Sequence, residues 1–138
     1  MSVLIPENVK YIVVHCSDSP NNPNDGRLDT AADIHRWHLE RGWSGIGYHW
    51  VITEQGDIQA GRPEYWAGAG VRGHNSESIH VCMVGNGLYH GPQWIALAKK
   101  VRELTAAYPW AEVVGHNDLD SSKECPRFDV PAWWETQK

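Results

Sequence analysis

Apolar positions recur along this chain in two periods, and the switches between them divide it into elements. Val9 to Ser17, VKYIVVHCS, is a short β-branched run and is expected to form a buried strand. The segment SPNNPNDGR that follows is dense in Pro, Asn and Gly and reads as a loop. Asp29 or Thr30 then caps a helix with Asp33 in its first turn. Its apolar stripe is Ile34, Trp37, His38 and Leu39, and Gly42 closes it as the C′ residue. GYHWVITEQGDIQAGR carries two strand-like runs around Gln55 and Gly56, a hairpin pattern. AGAGVRGHN has no periodicity and is expected to be an irregular loop, while Ser78 to Val84 is a second buried strand. Pro92 to Tyr108 places Trp94, Ile95, Leu97, Ala98, Val101 and Leu104 at helical spacing, with Pro109 as the stop. Glu112 to Gly115 reads as a last short strand. A final helix is capped by Asp129, with Pro131 in its first turn and Trp133 and Trp134 as anchors. The order β, α, β-hairpin, β, α, β, α predicts a mixed α/β domain, one central sheet flanked by helices.

Length agrees with a single domain over residues 1–138. A chain of this size buries roughly two-thirds of its unfolded surface, enough for a core without staples. The formal net charge of -5 argues against nucleic acid as a partner, since phosphate binding needs surplus Lys and Arg. No apolar run is long enough to insert into a membrane, and the start, MSVLIPENVK, lacks the basic and apolar regions of a signal peptide. Synthesis in a reducing cytosol and a monomeric state are expected. Three Cys without a closely spaced pair do not make a disulfide framework.

The eight His are the unusual feature, because imidazole is both a metal ligand and a general base. His15 and His116 fall at the C-terminal ends of predicted strands, where side chains project into loop-lined clefts. Cys125 follows in KECPRFD. Two His and a Cys suit a three-ligand zinc site with one open position. A hydrogen-bonded structural His and a small buried Cys are the competing readings, and spacing alone does not choose between them. His35 and His38 lie three apart on one helix face without a third ligand nearby, so packing is the better account. Cys16 and Cys82 sit in β-branched runs and are expected to be inert core. Glu40, Glu54, Glu64 and Glu77 form no informative pair for glycoside chemistry. There is no GxSxG, and no phosphate-binding loop precedes a helix.

VVHCS, IHRWHLERGW, GIGYHWVI, RGHN, SIHVCMVG and GHNDLDSSKECPRFD, in this order, give the chain a recognisable character. It resembles the zinc N-acetylmuramoyl-L-alanine amidases of the small phage endolysin (phage lysozyme) type, relatives of the peptidoglycan recognition proteins. The resemblance implies zinc as cofactor, held by His15, His116 and Cys125. It implies catalytic roles for Tyr48, from the GYH motif, and Lys123, from K-x-C-P. The implied activity is hydrolysis of the amide between N-acetylmuramic acid and L-alanine in peptidoglycan by a zinc-activated water. Lys123 would meet charge on the carbonyl oxygen and Tyr48 would handle a proton. The enzyme would act on the cell wall after release from the host cytoplasm, for phage or prophage lysis.

Arg72, His74 and Asn75 are expected to contact the peptide stem, by loop position. Two positions depart from the family pattern. Gly70 stands where relatives often carry a polar residue or His, which affects the substrate loop. His80 stands where Gly is common, which implies a slightly different sheet edge. The alternative function is a noncatalytic peptidoglycan-binding module of the same fold, against which the retained Cys125 speaks.

Overall fold

Short β-branched runs pair where their side chains can be buried from both sides, and five such runs make one sheet here. A computed structural model describes residues 2–18 and 29–138, so the loop expected over 19–27 lies outside the described residues. The elements are β1 (Tyr11–Cys16), α1 (Ala31–Glu40), β2 (Trp50–Ile52), β3 (Ile58–Ala60), β4 (Ser78–Met83), α2 (Gly91–Ala107), β5 (Glu112–Gly115), α3 (His116–Leu119) and α4 (Val130–Glu135). The strand order is β3-β2-β4-β1-β5. β2, β4, β1 and β5 run parallel, and β3 alone is antiparallel, as the hairpin partner of β2. The sheet is therefore mixed, as the pattern predicts.

Alternation along the strands gives the sheet two buried faces. Ile12, Val14, Ile52, Ile79, Val81 and Met83 form one, covered by Ala96, Leu97, Val101 and Leu104 of α2 and by Val130 of α4. Phe128 meets Trp94 and Trp133 in T-shaped contacts at the side of that core, which accounts for part of the Trp surplus. On the other face, Val51 and Cys82 meet Ile34 of α1, and Val13 and Val114 meet Val71 of the Gly-rich loop.

Thr30 is the N-cap of α1: its hydroxyl accepts from the Asp33 amide, and the Asp33 carboxylate accepts from the Thr30 amide, completing a capping box. Gly42 beyond the helix has φ +87°, where only a residue without Cβ sits easily. Leu39 does not belong to the buried stripe and is 48% exposed. Five residues beyond Ile34, it stands about 140° around the helix. Ile95 is 75% exposed for the same reason, about 200° from the buried Leu97 on α2.

The hairpin strands are shorter than the pattern suggests. The amides of Ile46 and Gly47 donate to Nδ1 of His35 and His38, both at 2.9 Å, which ties this stretch to α1, while the carbonyls of Tyr48 and His49 still accept from Arg62 and Gly61 across the hairpin. Tyr48 consequently lies in the loop before β2. α3 is an element the periodicity does not show, since four residues carry no repeat. The Gly115 amide donates to the Asp118 carboxylate at 2.7 Å and starts it. No described helix is long and apolar enough to cross a membrane.

Candidate metal centre and active site

β1 and β5 are neighbours running the same way, so their C-terminal ends open on the same edge of the sheet. His15 is the penultimate residue of β1 and is fully buried, and His116 follows directly on β5 as the first residue of α3. Their rings lie 4.8 Å apart, and the two Nδ1 atoms are separated by 3.3 Å. Cys125 arrives from the loop after α3. That loop is fastened by the Asn117 amide, which donates to the Cys125 carbonyl at 2.9 Å. The amide of Cys16 donates to Cys125 Sγ at 2.9 Å. Together, the ligand atoms of His15, His116 and Cys125 lie within 4.8 Å of one another. This group is the one assembly of three or more such side chains among the described residues.

The donor set fits zinc. Tetrahedral zinc with Zn–N bonds near 2.0–2.1 Å separates two imidazole nitrogens by about 3.3 Å. Burial pushes the pKa of His15 down, with the neighbouring His116 adding to the effect, and burial pushes His116 down too. Both imidazoles are thereby kept neutral, the form with a lone pair to offer. The Cys125 thiol is pushed up by its hydrogen bond with Cys16 and by burial, so a cation is what would hold it as a thiolate. Cys16 is drawn down to about 7, first by that same hydrogen bond. Cys16 is buried, as expected of a core residue, and its backbone amide is what meets Cys125 Sγ. Cys82 is buried, and burial raises its thiol.

Beside the triad is a cavity of about 330 Å³, lined by Tyr48, His116, Lys123 and Cys125 together with Asp18 and Arg41. Tyr48 is half-buried with its ring 5.0 Å from His15 and 5.5 Å from His38. Desolvation drives its phenol well above the usual range, so at neutral pH it is an O–H donor. Lys123 is exposed at the rim, in a turn closed by its amide on the Asp120 carbonyl at 3.0 Å. His35 and His38 prove to be clamps on the loop that presents Tyr48. Burial lowers His38 to about 4, which keeps its Nδ1 free to accept.

The Gly-rich loop borders a second cavity of about 610 Å³, shared with Trp43 and the buried Arg62. Of the three expected stem contacts, Asn75 lines that cavity. Its Oδ1 accepts from the amides of Gly70 and Val71 at 2.9 and 3.0 Å, holding the loop in place. Arg72 is exposed, while His74 bonds Glu77 at 2.8 Å and meets Tyr11 edge-on at the far end of β1 from His15. His80 does not sit at a sheet edge. β4 is an interior strand, and the His80 ring lies against His15 with Nδ1 2.8 Å from Nε2. Sequence reasoning missed this contact because it spans 65 residues and depends on strand register.

The comparison with protein families matches residues 6–128 to the N-acetylmuramoyl-L-alanine amidase model. The chain belongs to this amidase family. It is similar to the endolysin of Escherichia phage T7, at 34% identity over 137 residues, 94% of this chain and 87% of that protein. The endolysin of Klebsiella phage KP32 matches with the same identity and coverage. Among solved structures, the N-acetylmuramoyl-L-alanine amidase LysC of Clostridium intestinale superposes with a TM-score of 0.80 at 31% identity, covering 95% of this chain and 83% of LysC. Bumblebee PGRP-SA shares the fold, with a TM-score of 0.79 at 19% identity over 98% of this chain and 84% of its own. This is an amidase of the endolysin type, with the fold of the peptidoglycan recognition proteins.

Proposed function

We propose that this amidase cleaves the bond between N-acetylmuramic acid and L-alanine in peptidoglycan, as a phage or prophage endolysin, with zinc held by His15, His116 and Cys125. The observation that carries the reading is the convergence of those three ligand atoms beside a cavity that also receives Tyr48 and Lys123. Bound there, zinc would supply Lewis acidity and make hydroxide available near neutral pH.

The chain's own groups then have separate tasks. His15 and His116, neutral through burial, keep Nδ1 lone pairs available. The Tyr48 O–H is a donor beside the reacting carbonyl and a relay for the proton of the attacking water. The Lys123 ammonium meets the negative charge that builds on the carbonyl oxygen, a contribution of about 3 kcal/mol for a well-placed donor. Asn75 shapes the outer groove by holding the Gly-rich loop. Action on the wall after release from the host cell is part of the same reading.

Purified protein loaded with zinc should release stem peptides from sacculi, and a chelator should stop it. A folded, zinc-loaded protein that releases none would overturn the proposal. Peptidoglycan binding without any zinc would favour the noncatalytic module.

A further inference from the structure

His80 occupies an interior strand, is completely buried, and has no part in the chemistry described above. Its Nδ1 lies 2.8 Å from His15 Nε2, while its own Nε2 is buried without a hydrogen-bond partner. An orphaned polar atom in a core opposes folding, and Leu or Val would avoid it. The surroundings nevertheless make room for an imidazole. A Cβ on Gly68 would come within 2.5 Å of His80 Cδ2, and one on Gly70 within 2.5 Å of Nδ1 and 2.9 Å of His15 Nε2. Neither glycine has a φ in the left-handed range, so space is what calls for glycine at these two positions. His49 lies parallel to the His80 ring, 5.7 Å away. Its Nδ1 accepts from the His80 amide at 2.9 Å, and its Nε2 therefore donates to the Trp66 carbonyl at 2.8 Å.

We propose that His80 is a positioning residue for the metal ligand His15, its Nδ1 accepting the hydrogen bond that fixes the ring and tautomer of His15. This inference rests on the zinc reading above. His15 turns Nδ1 toward His116 and Nε2 toward His80. One proton is available between Nε2 of His15 and Nδ1 of His80. For His15 to offer Nδ1 to a metal, that proton resides on its Nε2 and points at His80. His80 must then carry its own proton on the buried Nε2, and the unpartnered N–H is the consequence of this assignment. Metal-bound His residues commonly donate their second N–H to a carboxylate, a backbone carbonyl or water, and loss of such a partner weakens metal binding. Here a neutral imidazole from the next strand takes that place.

The test is zinc affinity, measured by chelator competition, in the wild type, His80→Leu and His80→Asn, with the fold of each metal-free protein checked by circular dichroism. His80→Leu removes the acceptor and should weaken zinc about ten- to a hundredfold. His80→Asn places Oδ1 where Nδ1 was and should recover most of that loss. Wild-type affinity in a folded His80→Leu, or equal weakness in both variants, would overturn the role. A wild type that binds no zinc would instead defeat the zinc reading itself. Should His80→Leu not fold, nitrogen-15 NMR of the zinc-loaded wild type decides. Protons on Nε2 of both His15 and His80 support the assignment, and a proton on His80 Nδ1 overturns it.

Discussion

The two faces of the central sheet are equally buried and quite differently constrained. Beneath α2, Ile12, Val14, Ile79, Val81 and Met83 meet other aliphatic side chains. On the opposite face the same two strands present Val13, His15, His80 and Cys82, all with exposures of 0%. Aliphatic burial stabilises by about 25 cal/mol per Å², and any side chain of similar volume serves. A buried imidazole instead carries two polar nitrogens that burial penalises unless they are partnered, so its neighbours are specified atom by atom. The first face holds the protein together. The second is where, on the zinc reading, side chains are held in position for chemistry.

Variants on either face separate these roles. The largest effect is expected from Cys125→Ser, which exchanges a thiolate ligand for a poor one and should abolish both bound zinc and wall hydrolysis. Metal analysis of the purified variant checks this. Leu97→Ala, beneath the aliphatic face, should destabilise by about 2–5 kcal/mol in denaturant unfolding while the folded fraction keeps its zinc affinity. If zinc affinity fell as well, the two faces would not be separable. Lys123→Ala should keep zinc and lose about a hundredfold in kcat, ~3 kcal/mol, without loss of stability. Full activity in that variant would remove Lys123 from the transition state. Gly70→Ala forces a methyl group against His80 and His15, and should destabilise by about 1–3 kcal/mol. Unlike Leu97→Ala, it should also weaken zinc binding in the folded protein.

Acid should produce the most gradual change. Burial holds His38 at about 4 and lowers His49, whereas a His in an unfolded chain titrates near 6.5. Between these values the unfolded chain binds protons that the folded one refuses, so stability present above pH 6.5 is lost as pH falls toward 4. Thermal unfolding of the chelated protein across that window checks the sign. His38→Gln should flatten the profile, whereas substitutions on the aliphatic face should shift it without changing its shape.

The element order was readable because each strand and each long helix carries its own period. Asp129 was readable as a cap, and Thr30 as one of two candidates with Asp29, because capping is a contact across three residues. The hold of α1 on the stretch before β2 was not readable, since His35 and His38 accept from the amides of Ile46 and Gly47 across nine to eleven residues. Within the site, His15, His116 and Cys125 could be marked as strand-end and loop residues, and the family resemblance singled them out. The hydrogen bond from the Cys16 backbone amide to Cys125 Sγ was not legible, because it crosses 109 residues.

The sequence by itself therefore determined the strands and the longer helices, the family and the chemical types available for the site. Those are properties of local periodicity and of residue identity. Only the tertiary structure decided which of the eight His share a site. Parallel pairing sets Val13 opposite His80 and His15 opposite Cys82, so the two His meet on the diagonal of one face. A shift of one residue in that register would send one of them to the other face. Register is fixed by long-range packing, which no short segment of chain encodes.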